Sequence, residues 1–197
     1  MPSPNHDTAH LDHLRDYYAE NHRIPTFQRI ADLLGFASRT AAHKLLARLA
    51  AAGFIERTPD NDAWMPTQAF FARPLVEVGV RAGAPEFIEA GGGTPFFVDD
   101  YLVRTPSSTV MVPVKGDSMV DAGIHEGDIV VVERTKAATC GDFVVAIVDN
   151  EFTLKELGLE RGRFVLIPHN KAYPVIRPKG ELELFGVVTG LVRRYRA

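Results

Sequence analysis

Thr109-Val110-Met111-Val112-Pro113-Val114 runs directly into Lys115-Gly116-Asp117-Ser118-Met119. The first half is apolar and β-branched, as a strand requires, and the second half breaks into a turn. The turn presents the Ser118 hydroxyl at the edge of a rigid sheet instead of burying it. A serine needs a base to become a nucleophile, and no histidine stands in a comparable setting. Lys155 does, at the far end of a predicted hairpin from Phe143 to Leu157. A lysine serves as a base only where burial keeps its amine neutral near neutral pH. Taken by themselves, a polar turn and a strand lysine facing water explain the same residues.

Outward from that stretch, strand-like runs follow at short intervals: Thr109 to Val114, Asp128 to Glu133, Phe143 to Asp149, Glu151 to Leu157, Phe164 to Pro168 and Leu182 to Arg193. Turn signals such as Asp121-Ala122-Gly123, Glu126-Gly127, Asp149-Asn150 and Pro178-Lys179-Gly180 separate them. Amphipathic helices do not alternate with these runs, so an antiparallel, largely β domain is favoured over a parallel sheet. Cys140 sits in one of the turns without a clustered partner, which argues against a catalytic role for it.

The first third has helical periodicity instead. His10 to Asn21 carries Leu11, Leu14 and Tyr18 on one side and charged residues on the other. Thr26 is placed to cap a second helix through Ile30, Ala31, Leu33 and Leu34, which Gly35 stops. Ser38 is placed to cap a third, with Ala42, Leu45, Leu46 and Leu49 inward and Gly53 at its end. Phe54 to Arg57 and Ala63 to Met65 then read as a small hairpin. Three helices and a hairpin describe a winged helix-turn-helix. The outer face of the third helix holds Ser38, Arg39, Thr40, His43 and Lys44, where a recognition helix meets base edges. Arg29, Arg48 and Arg57 are candidates for phosphate contacts, which position a domain without reading sequence. His6, His10 and His13 share a helical face, but no completing ligand accompanies them, so no metal is expected.

Between these parts the periodicity fades, and Pro66, Pro74, Pro85, Pro95 and Gly91-Gly92-Gly93 punctuate the chain. The expected organisation is a DNA-binding domain over 1–66, a linker over 67–75 and a second domain over 76–197. Val76 to Val80 alternates like a strand and runs into Arg81-Ala82-Gly83-Ala84-Pro85. Small residues flanking a peptide bond let the backbone enter a narrow cleft, and Gly83 permits dihedrals closed to other residues, while an Ala/Gly-rich turn explains the stretch taken by itself. The triple glycine is not a phosphate loop, because no Lys-Ser/Thr follows it.

The 197 residues are 46% hydrophobic and 24% charged with a formal charge of −3, which excludes a wholly basic nucleic-acid coat while allowing a local basic face. A single cysteine forms no internal disulfide, in keeping with a reducing compartment. No apolar run reaches membrane-span length and the N-terminus lacks the regions of a secretory signal, so a cytoplasmic protein without a membrane partner is expected.

In order, Lys115-Gly116-Asp117-Ser118-Met119, Gly123-Ile124-His125-Glu126-Gly127-Asp128, Phe152-Thr153-Leu154-Lys155, Ile167-Pro168-His169-Asn170-Lys171-Ala172-Tyr173 and Phe185-Gly186-Val187-Val188 resemble the catalytic domain of LexA and UmuD. These are the self-cleaving serine-lysine proteins of the bacterial DNA-damage (SOS) response. Ile24-Pro25-Thr26, Ile30-Ala31, Leu34-Gly35-Phe36 and Ala41-Ala42 are similar to the winged helix of LexA, which UmuD does not have. The resemblance implies a chain of α and β domains in which an N-terminal winged helix-turn-helix precedes a mostly antiparallel β catalytic domain carrying the cleavage region 76–95. It also implies a serine endopeptidase acting on itself. By that likeness Ser118 would attack the Ala82 carbonyl, neutral Lys155 would take its proton and later protonate the Gly83 amine, and the Ser118 and Met119 amides would steady the oxyanion. The implied partners are double-stranded operator DNA, a RecA filament on single-stranded DNA, and a second copy through the C-terminal domain. No cofactor is implied, and the protein would sit on the bacterial chromosome.

Two departures qualify the likeness. The best-known LexA pattern reads Ser-Pro-Asn-Ala-Ala-Glu-Glu in the third helix, whereas this chain has Ser38-Arg39-Thr40-Ala41-Ala42-His43-Lys44, so a different operator is expected. Asp117, Phe152-Thr153 and Ala172-Tyr173 look closer to UmuD, which suggests a divergent or second LexA-like repressor. An alternative is a UmuD-like accessory factor for translesion polymerase, from which the first third of the chain distinguishes it. A signal-peptidase-like enzyme also uses a Ser-Lys dyad, but it needs a membrane anchor or an open cleft.

Overall fold

A computed structural model describes residues 6–60, 62–76, 93–135, 137–178 and 182–195. The chain divides into two compact units, Met1–Val98 and Asp99–Ala197. Among the described residues, no helix is long and apolar enough to cross a membrane.

The first unit begins with α1 (Asp7–Asn21), α2 (Phe27–Leu34) and α3 (Arg39–Ala51). Thr26 Oγ1 accepts from the Arg29 N–H at 3.3 Å and Ser38 Oγ from the Ala41 N–H at 3.3 Å, so both predicted caps form. Each such cap is worth about 1 kcal/mol. Gly35 closes α2 at φ 68°, a left-handed conformation that glycine adopts without strain. Leu11, Leu14, Ile30, Ala42, Leu45, Leu46 and Leu49 form the core where the helices meet. The hairpin is β1 (Ile55–Arg57) against β2 (Trp64–Pro66), antiparallel with Arg57 opposite Trp64. The Arg57 guanidinium lies 3.9 Å from the Trp64 ring centroid.

The stretch expected to be a linker does more than tether. Gln68–Phe71 forms a 3-10 turn that inserts Phe70, 1% exposed, into the helical core. Arg15 Nε donates to the Phe70 carbonyl at 2.7 Å and holds the turn on α1. β3 (Arg73–Leu75) then pairs antiparallel with β4 (Thr94–Phe96). The expected strand from Val76 to Val80 falls on 77–80, outside the described residues apart from Val76, which belongs to no strand. The Ala82-Gly83 bond also lies outside them.

After α4 (Val98–Leu102), the second unit is built on six strands: β5 (Thr109–Pro113), β6 (Ile129–Glu133), β7 (Phe143–Val148), β8 (Glu151–Glu160), β9 (Arg163–Ile167) and β10 (Glu183–Val192). Their order in the sheet is β5-β6-β10-β7-β8-β9, with every pairing antiparallel. This is the mostly antiparallel β domain expected, with each strand within a few residues of its predicted bounds. Val130, Val132 and Val145 pack with Met119 and Ile124 on one face. Val144, Ala146, Leu157 and Leu166 pack on the other. The β7–β8 hairpin turns through Asp149 and Asn150, both at positive φ (50° and 67°), the pattern of a tight turn whose twist matches its strands. That turn fixes the register, setting Lys155 opposite Val144.

Candidate functional site

Ser118 follows β5 through a turn that Gly116 makes possible at φ 79°. Met119 anchors the turn: it is 2% exposed and packs among Val130, Val132 and Val145. The chain thus buries one side chain in one core and leaves its neighbour's hydroxyl at the sheet edge. Backbone bonds tie the turn to the segment after β9, with the His169 N–H donating to the Ser118 carbonyl at 2.8 Å and the Asp121 N–H to the His169 carbonyl at 2.8 Å. Asp117 is held on the same side, by Tyr173 Oη at 2.5 Å and Asn170 Nδ2 at 3.2 Å.

Lys155 lies on β8, a strand whose alternation puts Thr153, Lys155 and Leu157 on one face. It is 6% exposed, and burial pushes its amine below the ordinary lysine value because the charged form is desolvated. Its Nζ lies 2.8 Å from Ser118 Oγ, 3.0 Å from Thr153 Oγ1 and 2.8 Å from the Leu154 carbonyl oxygen. A neutral amine has two N–H donors and one lone pair. The Leu154 carbonyl can only accept, and Thr153 Oγ1 is placed to take the second N–H. The lone pair is then left for the Ser118 hydroxyl proton, the arrangement general-base catalysis needs.

A cavity of about 340 Å³ opens beside the pair, lined by Asp117, Ser118, Thr153, Lys155, Tyr173 and Pro174 among others. Among the described residues the backbone N–H groups of Ser118 and Met119 donate to no protein acceptor. A second, more apolar cavity of about 220 Å³ lies along Val112, Val114, Val130, Val145, Phe152 and Leu154.

Sequence reasoning paired Ser118 with Lys155 but missed three supporting contacts. Thr153 was legible in principle, since it stands two positions before Lys155 on the same strand face. The Asp117–Tyr173 bond joins residues 56 apart. Buried Asp128 accepts from Arg193 Nε and Nη2, both at 2.6 Å, across 65 residues. The Arg193 guanidinium and the His125 N–H hold the Asp128 carboxyl at about 2. These contacts tie the His125–Asp128 turn to the end of β10.

On α3, Arg39, Thr40, His43 and Lys44 are all exposed. Arg39 Nε donates to Gln28 Oε1 at 2.8 Å, and His43 packs on Phe27 with ring centroids 5.5 Å apart. The expected phosphate-contacting arginines differ in their commitments. Arg48 makes a bidentate bond to Asp7 at 2.8 and 2.7 Å, so its charge is offset within the domain. Arg57 pairs with Asp62 at 3.2 Å besides covering Trp64. Arg29 stands 6.0 Å from the Tyr17 ring. Among the described residues, no group of three or more His, Cys, Asp or Glu side chains forms a metal cage.

Comparison with known proteins places both halves. The family model described as LexA DNA binding domain matches residues 7–62, and the one described as Peptidase S24-like matches residues 74–189. LexA repressor 2 of Pseudomonas putida is 36% identical over 194 residues, spanning 94% of this chain and 95% of that protein. LexA repressor of Alcanivorax borkumensis is 36% identical over 189 residues, spanning 93% and 92%. Protein SamA of Salmonella typhimurium is 43% identical over 97 residues, spanning 49% of this chain and 68% of its own length. With a LexA-type DNA-binding domain, a Peptidase S24-like domain and likeness to LexA repressors along nearly its whole length, the chain belongs to the LexA repressor family.

Proposed function

We propose that this protein represses DNA-damage (SOS) response genes and inactivates itself by cutting its own Ala82-Gly83 bond. The observation that carries the reading is the Lys155 amine, buried and 2.8 Å from the Ser118 hydroxyl. Ser118 Oγ attacks the Ala82 carbonyl carbon as Lys155 Nζ takes the hydroxyl proton. The oxyanion is steadied by the Ser118 and Met119 N–H groups. Collapse breaks the bond to Gly83, whose amine leaves with the proton from Lys155, and an ester joins Ala82 to Ser118. Water, deprotonated by the same amine, hydrolyses that ester. The substrate belongs to the same chain, so each molecule acts once.

The winged helix binds operator DNA through Arg39, Thr40, His43 and Lys44, with Ser38 at the head of the helix. Arg29 is the freest of the arginines for a phosphate. Arg48 and Arg57 must share their charge with Asp7 and Asp62 to contribute. Two copies joined through the C-terminal domain gain avidity on a two-fold operator, and separating residues 1–82 from that domain removes it. A RecA filament on single-stranded DNA stimulates the cut in the cytoplasm by favouring entry of the cleavage segment. The accessory-factor reading has less support, because a LexA-type DNA-binding domain occupies the first third of the chain.

Mapping bound chromosomal sites before and after DNA damage tests this function. Repression predicts discrete sites upstream of damage-induced genes that empty after damage in the wild type and stay occupied in Ser118→Ala. Absence of discrete sites, or their loss in Ser118→Ala to the same extent, contradicts it.

A further inference from the structure

A three-residue chain links α2 to the head of α3 on the exposed face of the first unit. Gln28 Nε2 donates to Asp32 Oδ1 at 2.9 Å, and Gln28 Oε1 accepts from Arg39 Nε at 2.8 Å. Each step constrains the next. Asp32, one turn further along α2, can only accept from the Gln28 amide, which fixes the amide's orientation and turns its oxygen outward. That oxygen engages the guanidinium at Nε, the edge nearest the backbone. Among the described residues, Nη1 and Nη2 of Arg39 donate to no protein group.

The result differs from an ordinary surface arginine. A free arginine samples many rotamers, and ordering it on a ligand costs conformational entropy. Here much of that ordering is already in place, because the planar group is held at one end and its two outer nitrogens remain available. Arg39 is the first residue of α3, and base-reading residues of a recognition helix cluster at its N-terminal end. Two parallel N–H groups at that spacing match the O6 and N7 acceptors of guanine in the major groove, and no other base offers that pair.

We infer that Arg39, held by Gln28, reads a guanine in each operator half-site, and that Gln28 acts as a positioning residue for that contact. The inference rests on the DNA-binding reading and sharpens it by naming the base and its reader. Arg48 and Arg57 are unsuited to the role, since the first is clasped by Asp7 and the second lies over Trp64. Their contribution to binding is independent of sequence.

The test is selection of bound duplexes from a random-sequence pool by the full-length protein carrying Ser118→Ala, which stays intact, and by the same chain with a second substitution. The parent should enrich a two-fold motif with one strongly required G·C pair per half-site. Arg39→Ala should make that position degenerate while the other positions keep their preferences. By direct titration, its discrimination for guanine over adenine should fall by about tenfold to a hundredfold. Gln28→Ala should erode the same position by a smaller factor, and Gln28→Glu combined with Asp32→Asn, which keeps an acceptor for Arg39 and a hydrogen bond between positions 28 and 32, should retain it. Thermal melting of each variant verifies the fold. Arg39→Ala enriching the parent motif with uniformly weaker binding would make Arg39 a phosphate contact and overturn the inference alone. Failure of the parent to enrich any motif would overturn the DNA-binding reading as well.

Discussion

Burying a lysine is unfavourable unless the amine is neutral, and Lys155 is 6% exposed without a carboxylate bonded to its amine among the described residues. Its folded pKa is depressed, so the unfolded chain binds the proton more readily. Stability therefore rises as pH climbs from the folded value toward the ordinary 10.5, and is lost as pH falls through the folded value. Lys155→Met removes that penalty. It should abolish self-cleavage while raising the melting temperature of the second unit at neutral pH, readable by calorimetry. The same shift sets the rate profile of the intact protein. Self-cleavage should rise about tenfold per pH unit and level off below pH 10.5, because only the neutral amine can take the Ser118 proton. Thr153→Val deletes one of the two acceptors that aim the amine. A lost hydrogen bond of about 1 kcal/mol predicts roughly fivefold slower cleavage with the pH profile retained, measured from the decay of intact chain.

Two short segments position the functional parts, and each depends on one buried side chain. Met119 fastens the turn that carries Ser118. Met119→Ala should cost about 2–5 kcal/mol of stability in the second unit and slow cleavage together, as denaturant titration and fragment analysis would read. Phe70 plays the corresponding role in the first unit, and Phe70→Ala should cost about 3–5 kcal/mol there while leaving alkaline self-cleavage intact. The strands, the three helices with their Thr26 and Ser38 caps, and the Asp149-Asn150 turn were legible because their signals are local. Ser118 and Lys155 were legible as a pair through the likeness of Lys115-Gly116-Asp117-Ser118-Met119 and Phe152-Thr153-Leu154-Lys155 to self-cleaving serine-lysine proteins, since the hairpin by itself sets Lys155 only against Val144. Phe70 was not, since a single aromatic among prolines gives no periodicity and its partners Leu11, Leu14 and Ile55 lie far back in sequence. Asp117 with Tyr173 and Asp128 with Arg193 escaped for the same reason, as tertiary pairing leaves no local pattern.

Across the whole molecule, the first compact unit carries the residues matched by the LexA DNA binding domain, and the second carries Ser118 and Lys155. The buried Asp128–Arg193 pair closes the second unit by joining the turn before β6 to the end of β10. The Asp128 carboxyl lies near 2 when folded against an ordinary 3.8, so its contribution is complete above pH 3.8 and lost as pH falls toward 2. Asp128→Asn should flatten the acid limb of the unfolding curve over that window. Separating residues 1–82 from the rest of the chain is the event on which the proposed function turns, and it can be observed directly. Purified full-length protein incubated at mildly alkaline pH and followed by intact-mass spectrometry should give two fragments divided after Ala82, with Ser118→Ala and Lys155→Ala remaining whole. An uncut wild-type chain, or either variant cut at the wild-type rate, would contradict the assignment of Ser118 and Lys155.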